Sequence, residues 1–183
     1  MTYPVHARID GALVMIGFGS IGRGVLPMIE RHIGFDRERF TVIEPLEDHA
    51  HILRDHGIRH LQVALTAENF AEVLRGVFPK GRGMIVNLSV DVDSIELMKL
   101  AQEMGVQYID TVVEPWPGFY FGSSLQNEDR TNYTLRGRVR ALGRRSIGVQ
   151  GDLTQREGAR ALVQQALAEF GRIDILVNNA GGA

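Results

Sequence analysis

The chain has 183 residues, of which 44% are hydrophobic and 23% are charged, and its formal net charge is −2. These values are typical of a soluble globular protein with one domain, or one domain and an appendage, and they argue against a nucleic-acid partner. The sequence contains no cysteine, which excludes disulfides, thiolate metal sites and a cysteine nucleophile. Its apolar runs are too short to span a bilayer and its first ten residues lack a signal-peptide core, so we expect a cytoplasmic protein with no membrane partner. We also expect no metal site.

Five apolar runs in the first 113 residues alternate with helical patterns. The strands are predicted at 12–16, 40–44, 61–65, 83–89 and 106–113, and the helices at 21–32, 47–57, 67–78 and 93–105. Pro27 is expected to kink or loosen the first helix. Asp93 or Ser94 is expected to cap the start of the last helix, and Gly105 to end it. The strands are continuous apolar runs, which is typical of strands buried on both faces. This alternation predicts an α/β fold with a doubly wound parallel sheet of the Rossmann type.

The pattern changes after Val113. Residues 114–124 are rich in aromatic residues, proline and glycine, which favours a loop. A helix interrupted by glycines is predicted over 127–145. A strand at 146–151, a helix at 154–171 and a strand at 173–179 then predict an appended βαβ unit.

The first predicted strand leads into a glycine motif, GFGSIG, at residues 17–22. In the motif G-x-G-x-x-G between a strand and a helix, Gly17 permits the tight turn, Gly19 lets the backbone approach a pyrophosphate, and Gly22 lets helix and strand pack closely. The amides at the helix start then bind phosphate. Glu44 ends the second strand, 22 residues after Gly22, where a carboxylate accepts hydrogen bonds from ribose hydroxyls and repels a 2′-phosphate. The motif therefore predicts NAD as the cofactor, and the alternative is a glycine-rich turn without a ligand.

Residues from about 8 to 136 resemble the N-terminal cofactor domain of bacterial homospermidine synthases. The stretches that carry the resemblance are RIDGALVMIGFGSIGRGVLPMIERH, VNLSVD, YIDTVVEPWPGFYF and NYTLR. The resemblance implies tight NAD binding. It also implies a reaction in which an amine, usually putrescine, is oxidised to an imine, a second amine attacks it, and the same cofactor reduces the new imine. The full-length family proteins are more than twice as long as this chain, and their second domain supplies much of the amine pocket.

This resemblance gives roles to side chains at the ends of the fourth and fifth predicted strands. Asp91 and Glu114 are candidates for binding a cationic diamine, and Trp116 is a candidate for a cation–π contact. Each of the two acids is alternatively an ordinary loop residue, and Asp91 alternatively caps a helix. Asn87 is expected near the nicotinamide through its backbone, or else to make only strand-end hydrogen bonds. The predicted cofactor-binding set is Gly17, Gly19, Ser20, Ile21, Gly22, Glu44, Thr66, Asn87 and Leu88.

Residues from about 137 to 183 resemble a different family, the short-chain dehydrogenases. The stretch that carries the resemblance is RALGRRSIGVQGDLTQREGARALVQQALAEFGRIDILVNNAGG. It implies that Asp152 corresponds to an adenine-contacting aspartate and that 178–181 corresponds to a motif that steadies the sheet. That family's glycine loop and its Ser…Tyr-x-x-x-Lys set are absent, and no lysine follows Lys99. We therefore predict no short-chain dehydrogenase catalysis and no complete catalytic set.

Together the two resemblances predict a chimera that changes family near Arg136. Residues 1–136 are predicted to form an NAD-binding domain able to fold alone, and 137–183 an appended α-β-α-β fragment. The leading function is an NAD-binding domain of homospermidine synthase type that is catalytically incomplete and binds putrescine or another diamine weakly. The alternatives are a complete small NAD-dependent oxidoreductase and an engineered or accidental chimera without selected activity. The apolar segment 173–177 is expected to favour a homodimer or aggregation if its edge is uncovered.

Overall fold

The computed structural model describes residues 3–120, 126, 131–142 and 155–173. The chain divides into two compact units, Met1–Leu135 and Arg136–Ala183. The described strands are β1 (Ala7–Arg8), β2 (Ala12–Ile16), β3 (Ile33–Gly34), β4 (Phe40–Ile43), β5 (Arg59–Leu61), β6 (Gly83–Asn87) and β7 (Gln107–Asp110). The described helices are α1 (Ser20–His32), α2 (Ala50–Asp55), α3 (Phe70–Val77), α4 (Ser94–Met104), α5 (Asn132–Ala141) and α6 (Arg156–Phe170). Within these described ranges no helix has the length and apolar content needed to cross a membrane.

A five-stranded parallel sheet forms the centre of the first unit. Its strand order is β5-β4-β2-β6-β7, and each neighbouring pair is parallel. The chain moves outward from β2 through β4 to β5 and then returns to place β6 on the other side of β2. The predicted doubly wound Rossmann-type sheet is therefore confirmed. The direction of winding reverses between β2 and β6, and the carboxyl ends of strands at such a point border a ligand crevice.

Alternate residues of β2 enter two different hydrophobic clusters. Leu13 and Met15 pack in one cluster with buried residues of α1 and α2. Val14 and Ile16 pack in the other with buried residues of α3 and α4. Because both faces of the sheet are covered, the strands read as continuous apolar runs, as predicted.

Several predicted boundaries are wrong, most clearly in the third strand. Its ladder covers Arg59–Leu61 and not 61–65, because the Val63 amide donates to the Leu61 carbonyl at 3.0 Å and turns the chain. Val63 and Leu65 pack on the core beyond the strand end, which explains why the apolar run continues past the ladder. Helices α2 and α3 are also shorter than predicted, and the fourth strand ends at Asn87.

Local details of α1 and α4 test three further predictions. Helix α1 spans Ser20–His32 with Pro27, the residue predicted to kink or loosen it, inside the helix. Asp93 is the N-cap of α4, since its carboxylate accepts from the Ile95 and Glu96 amides at 2.9 and 3.0 Å. Gly105 ends α4 in the left-handed conformation, with φ of 67°. The small parallel pair β1–β3 was not predicted, since two-residue strands leave no periodic signal.

The second unit is described through part of α5 and through α6. Helix α6 falls within the predicted helix 154–171 and ends at Gly171, whose φ is 79°. Helix α5 falls within the predicted helix 127–145. The predicted strand 146–151 and residues 174–179 of the last predicted strand lie outside the described residues, as do Asp152 and the 178–181 motif.

Candidate functional site

A crevice of about 840 Å³ lies beyond the carboxyl ends of the sheet strands. Ile16 at the end of β2, Ile43 at the end of β4 and Leu88 just after β6 all line it. Its lining contains most of the predicted cofactor-binding residues, namely Gly17, Gly19, Ser20, Ile21, Glu44, Thr66 and Leu88, together with Asp91 and Trp116. Gly22 and Asn87 are buried and do not line it. The fold thus gathers residues from five loops, those after β2, β4, β5, β6 and β7, into one open crevice.

Two glycines of the motif have geometric reasons to be glycine. Gly17 has φ of 89°, and a Cβ there would meet the Ser89 amide nitrogen at 2.9 Å. Gly22 lies in the first turn of α1, where a Cβ would be 2.7 Å from the Gly17 carbonyl oxygen. The loop therefore folds tightly against β6, and α1 packs closely against the loop, as the motif predicts.

Gly19 differs from both. Its φ is −70°, which any residue adopts, and a Cβ there would meet nothing within 4 Å. Neither the backbone φ nor packing requires glycine here, so the backbone at Gly19 is left open at the start of α1. Gly19 is also the N-cap of α1, so the first free amides of that helix start beside it.

Glu44 follows β4 and contacts the glycine loop directly. Its Oε2 accepts from the Phe18 amide at 2.7 Å, and its Oε1 accepts from the Leu46 amide at 3.0 Å. The side chain is half-buried, lines the crevice and retains acceptor capacity on both oxygens. Glu44 therefore holds the loop in place and presents negative charge beside it.

Thr66 and Trp116 line the crevice from the loops after β5 and β7. Thr66 belongs to the turn before α3, where its amide donates to Asn69 Oδ1 at 2.8 Å and its hydroxyl accepts from the Glu68 amide at 3.3 Å. Trp116 is half-buried, and its ring centroid lies 5.6 Å from that of Phe70. The indole thus packs against Phe70 in a tilted arrangement, with 59° between the ring planes, and part of its surface is used in this packing.

Asn87 is buried and belongs to a hydrogen-bond network at the ends of β6 and β7. Its amide nitrogen donates to Tyr108 Oη at 3.2 Å, and its Oδ1 accepts from the Ser89 hydroxyl at 2.6 Å. Tyr108 in turn donates to Asp110 Oδ2 at 2.8 Å. The side chain of Asn87 therefore makes strand-end hydrogen bonds, which was one of the two predicted alternatives.

Tyr108 and Asp110 were missed in the sequence reasoning. Burial raises the pKa of Asp110 above its ordinary value, although hydrogen bonds from Tyr108 and Ser94 partly offset this. Burial and the charge of Asp110 raise the pKa of Tyr108 as well, so the phenol stays protonated and remains a donor. Asp110 is the last residue of β7, and Glu44 comes directly after β4. The position of Asp110 at a strand end was therefore the signal by which the sequence could have identified it.

The two predicted diamine-binding acids occupy different positions. Asp91 lines the crevice on an exposed loop and has φ of 61°. Glu114 does not line the crevice, and its backbone is fixed by Ser94, whose hydroxyl accepts from the Glu114 amide at 2.9 Å. Burial, followed by the charges of Asp91 and Asp110, raises the pKa of Glu114. Three carboxyl groups therefore interact electrostatically near the ends of β6 and β7.

Among the residues that the structure describes, no three histidine or acidic side chains form a cluster that could hold a metal ion.

The strand order, the glycine loop and the crevice at the strand ends define the class of this protein, a Rossmann-type nucleotide-binding domain. The chain belongs to the saccharopine dehydrogenase NADP binding domain family, whose model matches residues 13–149.

Homospermidine synthases are among its relatives, which confirms the first predicted resemblance. The homospermidine synthase of Blastochloris viridis is 51% identical over 148 residues, which are 80% of this chain and 31% of that protein. The homospermidine synthase of Mesorhizobium japonicum is 51% identical over 136 residues, which are 73% of this chain and 28% of that protein. The chain thus spans less than a third of the length of these relatives. A crystal structure of the Legionella pneumophila homospermidine synthase in complex with NAD superposes with a TM-score of 0.63, at 24% identity, over 74% of this chain and 27% of that one.

The second predicted resemblance is also confirmed. A short chain dehydrogenase family model matches residues 123–183. The 2-dehydro-3-deoxy-D-gluconate 5-dehydrogenase of Escherichia coli is 58% identical over 43 residues, which are 24% of this chain and 17% of that enzyme. The two family matches overlap at 123–149, and Arg136 lies within this overlap.

Proposed function

We propose that this chain is an NAD(H)-binding domain of homospermidine synthase type. The observation that carries the proposal is the crevice in which the open backbone at Gly19, the start of α1 and the carboxylate of Glu44 meet. The loop amides and the helix start suit a pyrophosphate. The carboxylate at the end of the second strand of the fold suits adenosine ribose hydroxyls.

The charges of the crevice favour NAD over NADP. Of the described residues that line it, none is basic, and Glu44, Glu68 and Asp91 are acidic. A 2′-phosphate placed near Glu44 would meet a carboxylate and no compensating cation. The family description names NADP, so this preference is the sharper part of the proposal.

Replacing Glu44 by alanine is expected to weaken NAD binding by about 1.5–3 kcal/mol and to narrow the difference between NAD and NADP. Calorimetric titration of each variant with both cofactors measures this. Glu44→Gln keeps an acceptor for the Phe18 amide without the charge, so it separates loop support from ribose binding. Exposed Glu47 is the control, since Glu47→Ala removes the same charge outside the crevice lining. Equal affinities of the unmodified protein for the two cofactors would contradict the role of Glu44.

We further propose that this 183-residue chain does not turn over a diamine by itself. Asp91 supplies one carboxylate to the crevice and Glu114 adds negative charge nearby, which is enough for weak attraction of putrescine. The resemblance to full-length homospermidine synthases implies that a second domain supplies the rest of the amine pocket. Incubation with putrescine and NAD is expected to yield no homospermidine by chromatography, with the Blastochloris viridis enzyme as the positive control. Steady product formation would instead favour a complete small NAD-dependent oxidoreductase.

We also propose that the NAD-binding domain and the short-chain-dehydrogenase-like fragment are independent pieces joined in one chain. Support comes from the two family matches and from compact units that change at Arg136. Because α5 crosses this point and Leu135 is buried, a cut after Leu142 leaves the helix whole. Residues 1–142 are expected to fold and to bind NAD as tightly as the full chain, measured by thermal denaturation and titration. An unfolded fragment, or a tenfold loss of affinity, would show that the two pieces form one integrated domain.

A further inference from the structure

A second cavity, of about 720 Å³, lies at the opposite edge of the sheet. Its lining includes Ala12 at the start of β2, Thr41 near the start of β4 and Arg59 at the start of β5. These are amino ends of strands, whereas the proposed NAD crevice lies beyond the carboxyl ends. The strands that separate the two edges are up to five residues long, which corresponds to roughly 16 Å.

The amino-edge cavity carries an excess of positive charge on a chain whose net charge is −2. Its basic lining residues are Arg8, Arg39, Arg59, Lys80 and Arg82, and its acidic ones are Asp10, Asp36 and Glu38. One of these acids is already engaged, because Asp36 pairs with Arg39 at 3.3 Å and accepts from the Glu38 amide at 3.1 Å.

Most of the basic side chains have no such partner. Among the described residues, no carboxylate forms an ion pair with Arg8, Arg59, Lys80 or Arg82. By contrast, Arg37 and Arg75, which lie outside the cavity lining, are paired with Glu30 and Glu103 at 2.6 and 2.7 Å. Of the five basic side chains that line the cavity, four therefore have no ion pair with a described carboxylate, and Arg39 has one.

The strand order places two of these arginines on either side of the cavity. Arg59 begins β5 and Arg82 immediately precedes β6, and β4 and β2 lie between these strands. Three strand spacings separate their backbones by roughly 14 Å. Side chains of this length on both sides can reach an anion held between them, and a guanidinium binds phosphate oxygens in pairs.

Apolar residues in the cavity lining increase the attraction of these charges for an anion. Ile9, Phe35 and Phe78 contribute apolar surface to its lining. Clefts with like charges on low-dielectric walls concentrate counter-ions more strongly than a flat charged surface does.

We propose that the amino-edge cavity is a binding site for a small anion that carries two or more phosphate groups. A single cation on the surface can bind its partner without a cavity. Several unpaired cations around one cavity instead fit an anion that carries more than one negative charge. This site is separate from the proposed NAD crevice and extends the function beyond it.

Inorganic tripolyphosphate and ATP are the probes, each titrated into the full chain with and without saturating NAD. Both are expected to bind, with affinity that falls as salt rises. Comparable affinities would identify the phosphate chain as the recognised group, and tighter ATP binding would add a contribution from the nucleoside. The NAD-free arm keeps the test valid if NAD itself does not bind.

The charge variants decide where the anion binds. Arg59→Gln and Arg82→Gln are each expected to weaken tripolyphosphate binding about two- to fivefold, and the double variant about tenfold. The matched control is the double variant Arg54→Gln/Arg75→Gln, which removes the same charge from exposed helix positions outside the lining and is expected to bind as the parent does. NAD affinity is expected to stay unchanged in all of them. Absence of tripolyphosphate binding, or equal binding by the cavity and control variants, would overturn the proposal.

Discussion

Replacing Gly19 by leucine is expected to abolish NAD binding while the protein stays folded. The Gly19 backbone has φ of −70°, and a Cβ there meets nothing within 4 Å, so the apo protein accommodates the side chain. In the proposed complex the same space is filled by the pyrophosphate, because the motif brings phosphate oxygens to the backbone at this residue. A branched side chain would occupy that position and cover the first free amides of α1.

Calorimetric titration with NAD and a thermal melt of the same sample measure both parts of this expectation. Gly24→Leu is the matched control, because Gly24 lies on α1 with equally open surroundings but outside the crevice lining. We expect Gly24→Leu to bind NAD as the parent does. If Gly19→Leu binds NAD normally, the crevice is not the cofactor site.

Replacing Gly22 by valine is expected to weaken both the fold and NAD binding. A Cβ at Gly22 would lie 2.7 Å from the Gly17 carbonyl oxygen and 3.3 Å from Phe18 Cδ2, so α1 would have to move away from the loop. Overpacking of this kind typically costs about 1–3 kcal/mol of unfolding free energy. The same movement would displace the loop amides from the pyrophosphate.

Chemical denaturation gives the loss of stability, and titration with NAD gives the loss of affinity. Gly24→Val serves as the control on the same helix, where an added side chain meets open space. A Gly22→Val protein with parental stability would show that α1 does not pack on the loop as closely as the structure has it. The contrast between Gly19 and Gly22 thus separates a glycine needed by the ligand from one needed by packing.

Much of the first unit followed from local sequence signals. The apolar run at 12–16, the glycine motif after it and the continuous apolar texture of the strands predicted the buried parallel sheet and its first loop. The caps of α4 were also readable, since an aspartate at the start and a glycine at the end satisfy backbone groups through local geometry. The third strand was misplaced because Val63 and Leu65 are apolar for core packing, and an apolar run does not show whether the backbone pairs.

The candidate site also has one part that was predictable from the sequence and one part that was not. Gly17, Gly19, Gly22 and Glu44 were predictable from spacing, because each role depends on a short stretch of chain with a fixed backbone path. The buried network of Asn87, Tyr108 and Asp110 was not, because it joins neighbouring strands whose pairing only the folded sheet establishes.

By itself the sequence determined the class of fold, the glycine loop and the resemblance to two families, since each depends on residue types at fixed spacings along the chain. The tertiary structure alone decided that the Glu44 carboxylate holds the Phe18 amide, that Glu114 stays outside the crevice lining, and that unpaired arginines surround a cavity at the far edge. The physical reason is that hydrogen bonds, burial and ion pairing depend on distances between residues far apart in the chain, and the strand order sets those distances.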